Sequence, residues 1–166
     1  MLHIYNATSS DFPIIQEIAY VTWPDTFGAI LSKEQISYML EMMYSTESLT
    51  EQTSQKGHQF LLVKDETKHL GYASYELNHK GLSKTKIHKI YILPEAQGKG
   101  VGKLLMNTIT GIARENQDTI LSLNVNRDNS AFDFYKNIGF EKVGEENIAI
   151  GDGFLMEDFI MDKKLV

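Results

Sequence analysis

Ile90-Tyr91-Ile92-Leu93-Pro94-Glu95-Ala96-Gln97-Gly98-Lys99-Gly100-Val101-Gly102-Lys103 sets a glycine-rich turn between a strand and a strongly amphipathic helix. Upstream, Ile90 and Ile92 fall on one side of the strand and Tyr91 and Leu93 on the other, and Pro94 closes it. Downstream the period becomes helical: Val101, Leu104, Leu105, Thr108, Ile109, Ile112 and Ala113 form one apolar stripe. Glycine admits positive φ and lets backbone N–H groups approach a ligand closely. At a helix N-terminus those N–H groups have no intrahelical acceptor, and the helix dipole favours an anion there. A phosphate fits such a site, with Lys99 and Lys103 adding charge at its rim. Gly98, Gly100 and Gly102 do not match G-x-G-x-x-G, and no G-x-x-x-x-G-K-[ST] is present. A plain strand-to-helix turn that uses glycine for geometry alone remains the alternative.

Working outward, Leu2 to Ala7 reads as a first strand, followed by a helix capped by Ser9 or Ser10 and running towards Tyr20, before Pro24 interrupts. A second helix covers Lys33 to Tyr44, and residues 47–56 read as a short helix or a loop. Strands follow at Gln59 to Lys64 and His69 to Leu77, then a polar connection, then Lys86 to Leu93. After the glycine turn and its helix come a strand from Thr119 to Asn126 and a short helix, Ser130 to Asn137, stopped at Gly139. Two last strands, Glu141 to Ile150 and Phe154 to Asp162, flank the turn Gly151-Asp152-Gly153. Helices interspersed with a mixed sheet predict an α/β or α+β layer fold, and the lack of linker or repeat predicts one domain over residues 1–166.

The chain has no cysteine, which excludes disulfides, thiolate metal sites and a cysteine nucleophile. The five histidines show no H-x-H or H-E-x-x-H spacing, so no metal is expected. A formal net charge of −6 argues against nucleic acid and anionic membrane as partners, and it suits a cationic small substrate or simple solubility. No apolar run nears a membrane span and no secretory signal opens the chain, so a cytoplasmic location is expected.

Gln97-x-x-Gly100-x-Gly102 resembles the acetyl-CoA signature [Q/R]-x-x-G-x-[G/A] of the GNAT superfamily of N-acetyltransferases. A second block, Leu123-x-Val125-x-x-x-Asn129-x-Ala131-x-x-Phe134-Tyr135-Lys136-x-x-Gly139-Phe140, follows in the order that superfamily requires. The resemblance implies a GNAT fold: a mixed, mostly antiparallel sheet of about six or seven strands flanked by helices. It also implies that Ile90, Tyr91 and Ile92 pair with the pantetheine arm of acetyl-CoA like an added strand. Backbone N–H groups of Gly98, Lys99, Gly100, Val101, Gly102 and Lys103 would hold the pyrophosphate. Asn129 would contact the CoA arm, and Tyr135 would stand beside the sulfur. From the residues alone, Asn129 also reads as a helix cap and Tyr135 as a core aromatic.

The reaction so implied is direct attack of a neutral amine on the thioester. An alkylammonium pKa near ~10.4 puts the free base about 4.6 kcal/mol uphill at pH 7. The resemblance makes the Ile92 N–H the oxyanion donor and Tyr135 the acid that protonates the thiolate. Many relatives carry a glutamate base where this chain has His88, an imidazole suited to accept a proton near neutrality or to serve as a half-buried structural residue. Glu76 is the other candidate base, and water alone a third route. Thr22-Trp23-Pro24-Asp25-Thr26-Phe27 is similar to a stretch of bacterial spermidine/spermine N-acetyltransferases, making Trp23, Asp25 and Phe27 candidate acceptor-site residues, with Glu41 a further acidic group. Trp23 and Phe27 equally read as packing between helices. The expectation is therefore a small-molecule amine acceptor, a polyamine among the candidates. A protein or antibiotic amine and a noncatalytic acyl-CoA sensor are the alternatives. Phe154, Leu155, Phe159 and Ile160 serve either a homodimer contact or the protein's own core.

Overall fold

A computed structural model describes residues 1–166. Its strands are β1 (His3–Asn6), β2 (Gln59–Lys64), β3 (His69–Glu76), β4 (Lys84–Ile92), β5 (Ile120–Asn126), β6 (Glu141–Gly151) and β7 (Phe154–Lys164). Its helices are α1 (Phe12–Phe27), α2 (Lys33–Tyr44), α3 (Thr46–Ser54), α4 (Val101–Glu115) and α5 (Ala131–Asn137). The seven strands form one sheet in the order β1-β2-β3-β4-β5-β7-β6. Every neighbouring pair is antiparallel except β4 with β5. This is the mixed, mostly antiparallel sheet that the resemblance implied.

The sheet is covered on both faces. Tyr72 and Tyr91, opposite each other on β3 and β4, point to the face where Trp23 and Phe27 of α1 and Tyr44 of α2 pack. Gly71 and Ile92, one residue along, point to the face covered by α4. A Cβ on Gly102 would come within 2.9 Å of Ile92 Cδ1, so the third glycine of the turn lets α4 lie close on β4. Leu105, Ile109 and Ala113 of the predicted stripe are fully buried. Each large one contributes roughly 1.5–3 kcal/mol. No helix is long and apolar enough to cross a membrane.

Several expected boundaries move. α1 does not stop before Pro24 but continues through it to Phe27. The proline removes one helical hydrogen bond, to the carbonyl of Tyr20, on a solvent-exposed side of the helix. Burial of Trp23 and Phe27 against Tyr91 keeps the last turn in place. The open segment 47–56 is helix as far as Ser54, started by Ser45, whose side chain accepts from the Ser48 N–H at 3.1 Å. β4 begins at Lys84, two residues early, because Lys84 and Thr85 already pair with Ile120 and Leu121.

Candidate active site

The site begins with an irregularity. β3 and β4 pair Ser74 with Lys89 and Tyr75 with Ile87, which leaves His88 as an extra residue on β4. A bulge of this kind bends its strand and increases its twist. The parallel pairing of β4 with β5 ends at Ile87 and Leu123, where the bulge occurs. Beyond it the two strands diverge, and the edge of β4 from His88 to Ile92 has no strand beside it. Leu93 N–H donates to Leu70 O at 2.9 Å, so the neighbouring pair Gly71–Ile92 is a non-hydrogen-bonded pair of the antiparallel ladder. By the same alternation so is Ala73–Ile90. The amides and carbonyls of Ile90 and Ile92 therefore point away from β3, into the gap.

A cavity of about 950 Å³ fills that gap and reaches both faces of the sheet. The α4 turn closes one end of it. Gly98 and Gly100 hold φ of 81° and 85°, and a Cβ on either would meet nothing within 4 Å. Their glycines thus serve backbone conformation and leave open space above the turn. The N–H groups of Gly98, Gly100, Val101, Gly102 and Lys103 find no acceptor in the protein, the helical ladder starting only with Leu104 N–H to Gly100 O at 3.0 Å. Gln97, Lys99 and Lys103 are exposed around them. This is a cluster of unspent donors at a helix N-terminus, the chemistry that holds a phosphate.

Asn129 and Tyr135 form the opposite bank. Asn129 Oδ1 accepts from Ala131 N–H at 2.9 Å, while its Nδ2 makes no hydrogen bond within the protein and the residue lines the cavity. Capping thus occupies one end of the amide and leaves the other for a ligand. Tyr135 is 8% exposed, its ring against Phe140, and its hydroxyl has no hydrogen-bond partner in the protein. Burial pushes its phenol well above the ordinary tyrosine value, so it stays protonated and able to donate.

His88 lines the cavity from β4 and sits in a cluster of imidazoles around one carboxylate. Glu76 Oε1 lies 2.9 Å from His88 Nε2 and 2.9 Å from His79 Nδ1. The His58 ring stacks on His88 with centroids 3.8 Å apart and planes 14° from parallel. Burial, together with the neighbouring His58, pushes His88 down to about 3. Burial and the charge of Lys89 push His58 down to about 4. Burial works to raise the Glu76 carboxyl, but its bonds to His88 and His79 outweigh this and hold it below the ordinary glutamate value. Glu76 is therefore ionised and His88 neutral at pH 7. Nε2 carries the proton given to Glu76, and Nδ1 keeps its lone pair. The donor atoms of His58, Glu76 and His88 lie within 4.8 Å of one another. Lone pairs lie in the ring planes, however, so two imidazoles stacked nearly parallel do not aim both nitrogens at one ion. The arrangement is that of a hydrogen-bonded cluster around Glu76.

The acceptor-site candidates of α1 are close together but differently placed. Trp23 is 1% exposed, donates from Nε1 to Tyr44 Oη at 3.2 Å, and packs on Phe27 and Tyr91 with centroids 4.6 and 5.7 Å away. It and the buried Phe27 form the floor of the cavity. Asp25 lines the cavity and is exposed, as is Glu41, which is not among the lining residues. Asp158 of β7 is a further buried carboxylate in the cavity wall, which no motif or spacing in the sequence marks out. His58 meets Glu76 only through the folding of the sheet, and His79 meets it from the turn that follows β3.

Fold and site define an acyl-transferase architecture with an open strand edge leading from a phosphate-type turn. Residues 29–161 match the acetyltransferase (GNAT) domain family, and the chain belongs to that family. It is an N-acetyltransferase. It is 28% identical over 169 residues to the spermidine N(1)-acetyltransferase of Thermoplasma acidophilum, covering 98% of this chain and 97% of that one. An uncharacterized N-acetyltransferase of Lactobacillus delbrueckii subsp. lactis, from the pepI 3' region, is also 28% identical, over 172 residues with 98% and 97% coverage. The crystal structure of the PaiA N-acetyltransferase from Thermoplasma acidophilum in complex with coenzyme A superposes with a TM-score of 0.83 at 27% identity, covering 99% of each chain.

Proposed function

We propose that this chain transfers acetyl from acetyl-CoA to a primary amine of a small molecule, a polyamine being the favoured acceptor class. The observation that carries this reading is the unpaired edge of β4, with the Ile90 and Ile92 amides facing a cavity whose end holds five N–H groups without acceptors. Those residues fit the pantetheine arm and the pyrophosphate of acetyl-CoA, which brings the activated acetyl group. Asn129 Nδ2 binds the arm from the opposite bank. The polyamine part rests on the end-to-end similarity to a spermidine acetyltransferase and on the cavity-wall carboxylate Asp158.

In this reading the amine enters along the wall formed by α1, α2 and β7, and His88 Nδ1 receives its hydrogen bond. As nitrogen bonds to the carbonyl carbon, His88 Nδ1 holds the amine through that hydrogen bond, Glu76 fixes the ring from Nε2, and the proton that the nitrogen sheds passes to solvent. The Ile92 N–H donates to the oxyanion. When the C–S bond breaks, Tyr135 gives its proton to the departing thiolate, leaving an amide and free CoA thiol. Tyr135 is then reprotonated from solvent. The whole chain, residues 1–166, acts as one catalytic unit with a cytoplasmic location. Thiol release from acetyl-CoA on addition of spermidine or putrescine tests the reading. Acetyl-CoA binding without turnover on any amine would replace it with a sensor.

A further inference from the structure

We propose that Asp158 is a subsite for the second, non-reacting ammonium of a diamine or polyamine, an inference that rests on the amine-acetylation reading above. Asp158 lies on β7 opposite Asn126 of β5 and lines the cavity on the bank facing His88. It is 7% exposed. Its Oδ2 accepts from Asn124 Nδ2 at 3.2 Å, whereas Oδ1 is buried and has no partner. A buried carboxylate oxygen without a donor is costly, and a bound ammonium would offset that cost.

None of the surrounding groups bonds to Oδ1. Asn124 accepts from Lys86 Nζ and also donates to Glu146 Oε1 at 2.9 Å, which fixes its amide with the donor towards the two carboxylates. Arg127 donates from Nη2 to Asn147 at 3.1 Å and lies over the Phe159 ring, while its buried Nε has no partner. Neither cation pairs with Asp158, although both draw on it at longer range against Glu146. Met39, Met42, Met43 and Met156 line the same chamber and offer pliable apolar walls for an alkyl chain. The reacting nitrogen must be neutral, and a carboxylate in contact with it would hold it protonated. The unpaired oxygen therefore suits the other nitrogen.

Thiol release is measured for wild-type and Asp158→Asn enzymes with putrescine and with n-butylamine, a pair differing in the second nitrogen. The wild-type ratio of kcat/KM, diamine over monoamine, is expected to be tenfold or more. It should fall towards unity in Asp158→Asn, with most of the change in KM for putrescine. Asparagine keeps the shape and the bond from Asn124, and CoA affinity by calorimetry reports the fold. If Asp158→Asn fails to bind CoA, Asp158→Glu is expected to shift the preferred diamine to a shorter one, and an unshifted preference would overturn the subsite. A wild-type ratio near unity, or one unchanged in Asp158→Asn, also overturns it. Turnover with neither amine overturns the acetylation reading itself.

Discussion

His88 Nε2 lies 2.9 Å from Glu76 Oε1, and it reaches that oxygen from the one bulged residue of β4. The same extra residue bends β4 away from β5, so a single register shift both opens the cleft and aims an oriented imidazole at it.

Because burial and His58 push His88 down to about 3, its imidazole is already neutral throughout the range in which the enzyme would be assayed. A pH–rate profile should then show kcat/KM for a small amine rising about tenfold per unit from pH 6 towards the amine's own pKa near ~10, with no break at the ordinary histidine value of about 6.5. A break near 6.5 that vanishes in His88→Gln would contradict this assignment of charge.

The same depression makes the cluster sensitive to acid. His58 and His88 titrate near 4 and 3 when folded, but at about 6.5 when unfolded. Below 6.5 the unfolded chain binds more protons, so their contribution is complete above 6.5 and is lost as pH falls towards the folded values. Each group accounts for up to about 2 kcal/mol between pH 6.5 and 5. The Asp158 carboxyl, raised by burial, works in the opposite sense. Urea midpoints at pH 7.5 and 5 should show the loss, and a His58→Gln variant should lose less. A flat midpoint would count against it.

Gly100 stands at φ 85° with no atom near a built Cβ, so Gly100→Ala strains the backbone without a clash. A left-handed alanine costs roughly 1–2 kcal/mol. The turn should relax, the aligned N–H groups should separate, and CoA affinity should weaken tenfold or more. Calorimetry on the folded variant measures it; unchanged affinity would mean that the N–H groups do not grip the ligand.

Tyr135→Phe removes the cavity-facing hydroxyl and leaves the ring against Phe140. General acids typically supply 10²–10⁴-fold, so turnover should fall at least a hundredfold while CoA affinity changes little. Pre-steady-state and steady-state thiol release together decide whether chemistry is the step affected.

The glycine turn, the stripe of α4 and the Asn129–Tyr135 block were legible because each is local: period, glycine placement and spacing lie within one stretch of chain. The gap between β4 and β5 was not, since it depends on where Ile87 stops pairing with Leu123. The His58–His79–His88 cluster around Glu76 joins residues from separate strands and a turn, and no spacing rule anticipates it. Asp158 became visible only once Asn124 was seen to satisfy one of its oxygens and leave the other. Pro24 misled because a local helix-breaking rule was outweighed by the burial of Trp23 and Phe27.

Amide hydrogen exchange with and without coenzyme A tests the central claim most directly. Marked slowing at Ile90, Ile92, Gly100, Val101 and Gly102, with the paired amides of β2 and β3 unaffected, is the predicted result. Saturating coenzyme A with no protection at those amides would contradict the account.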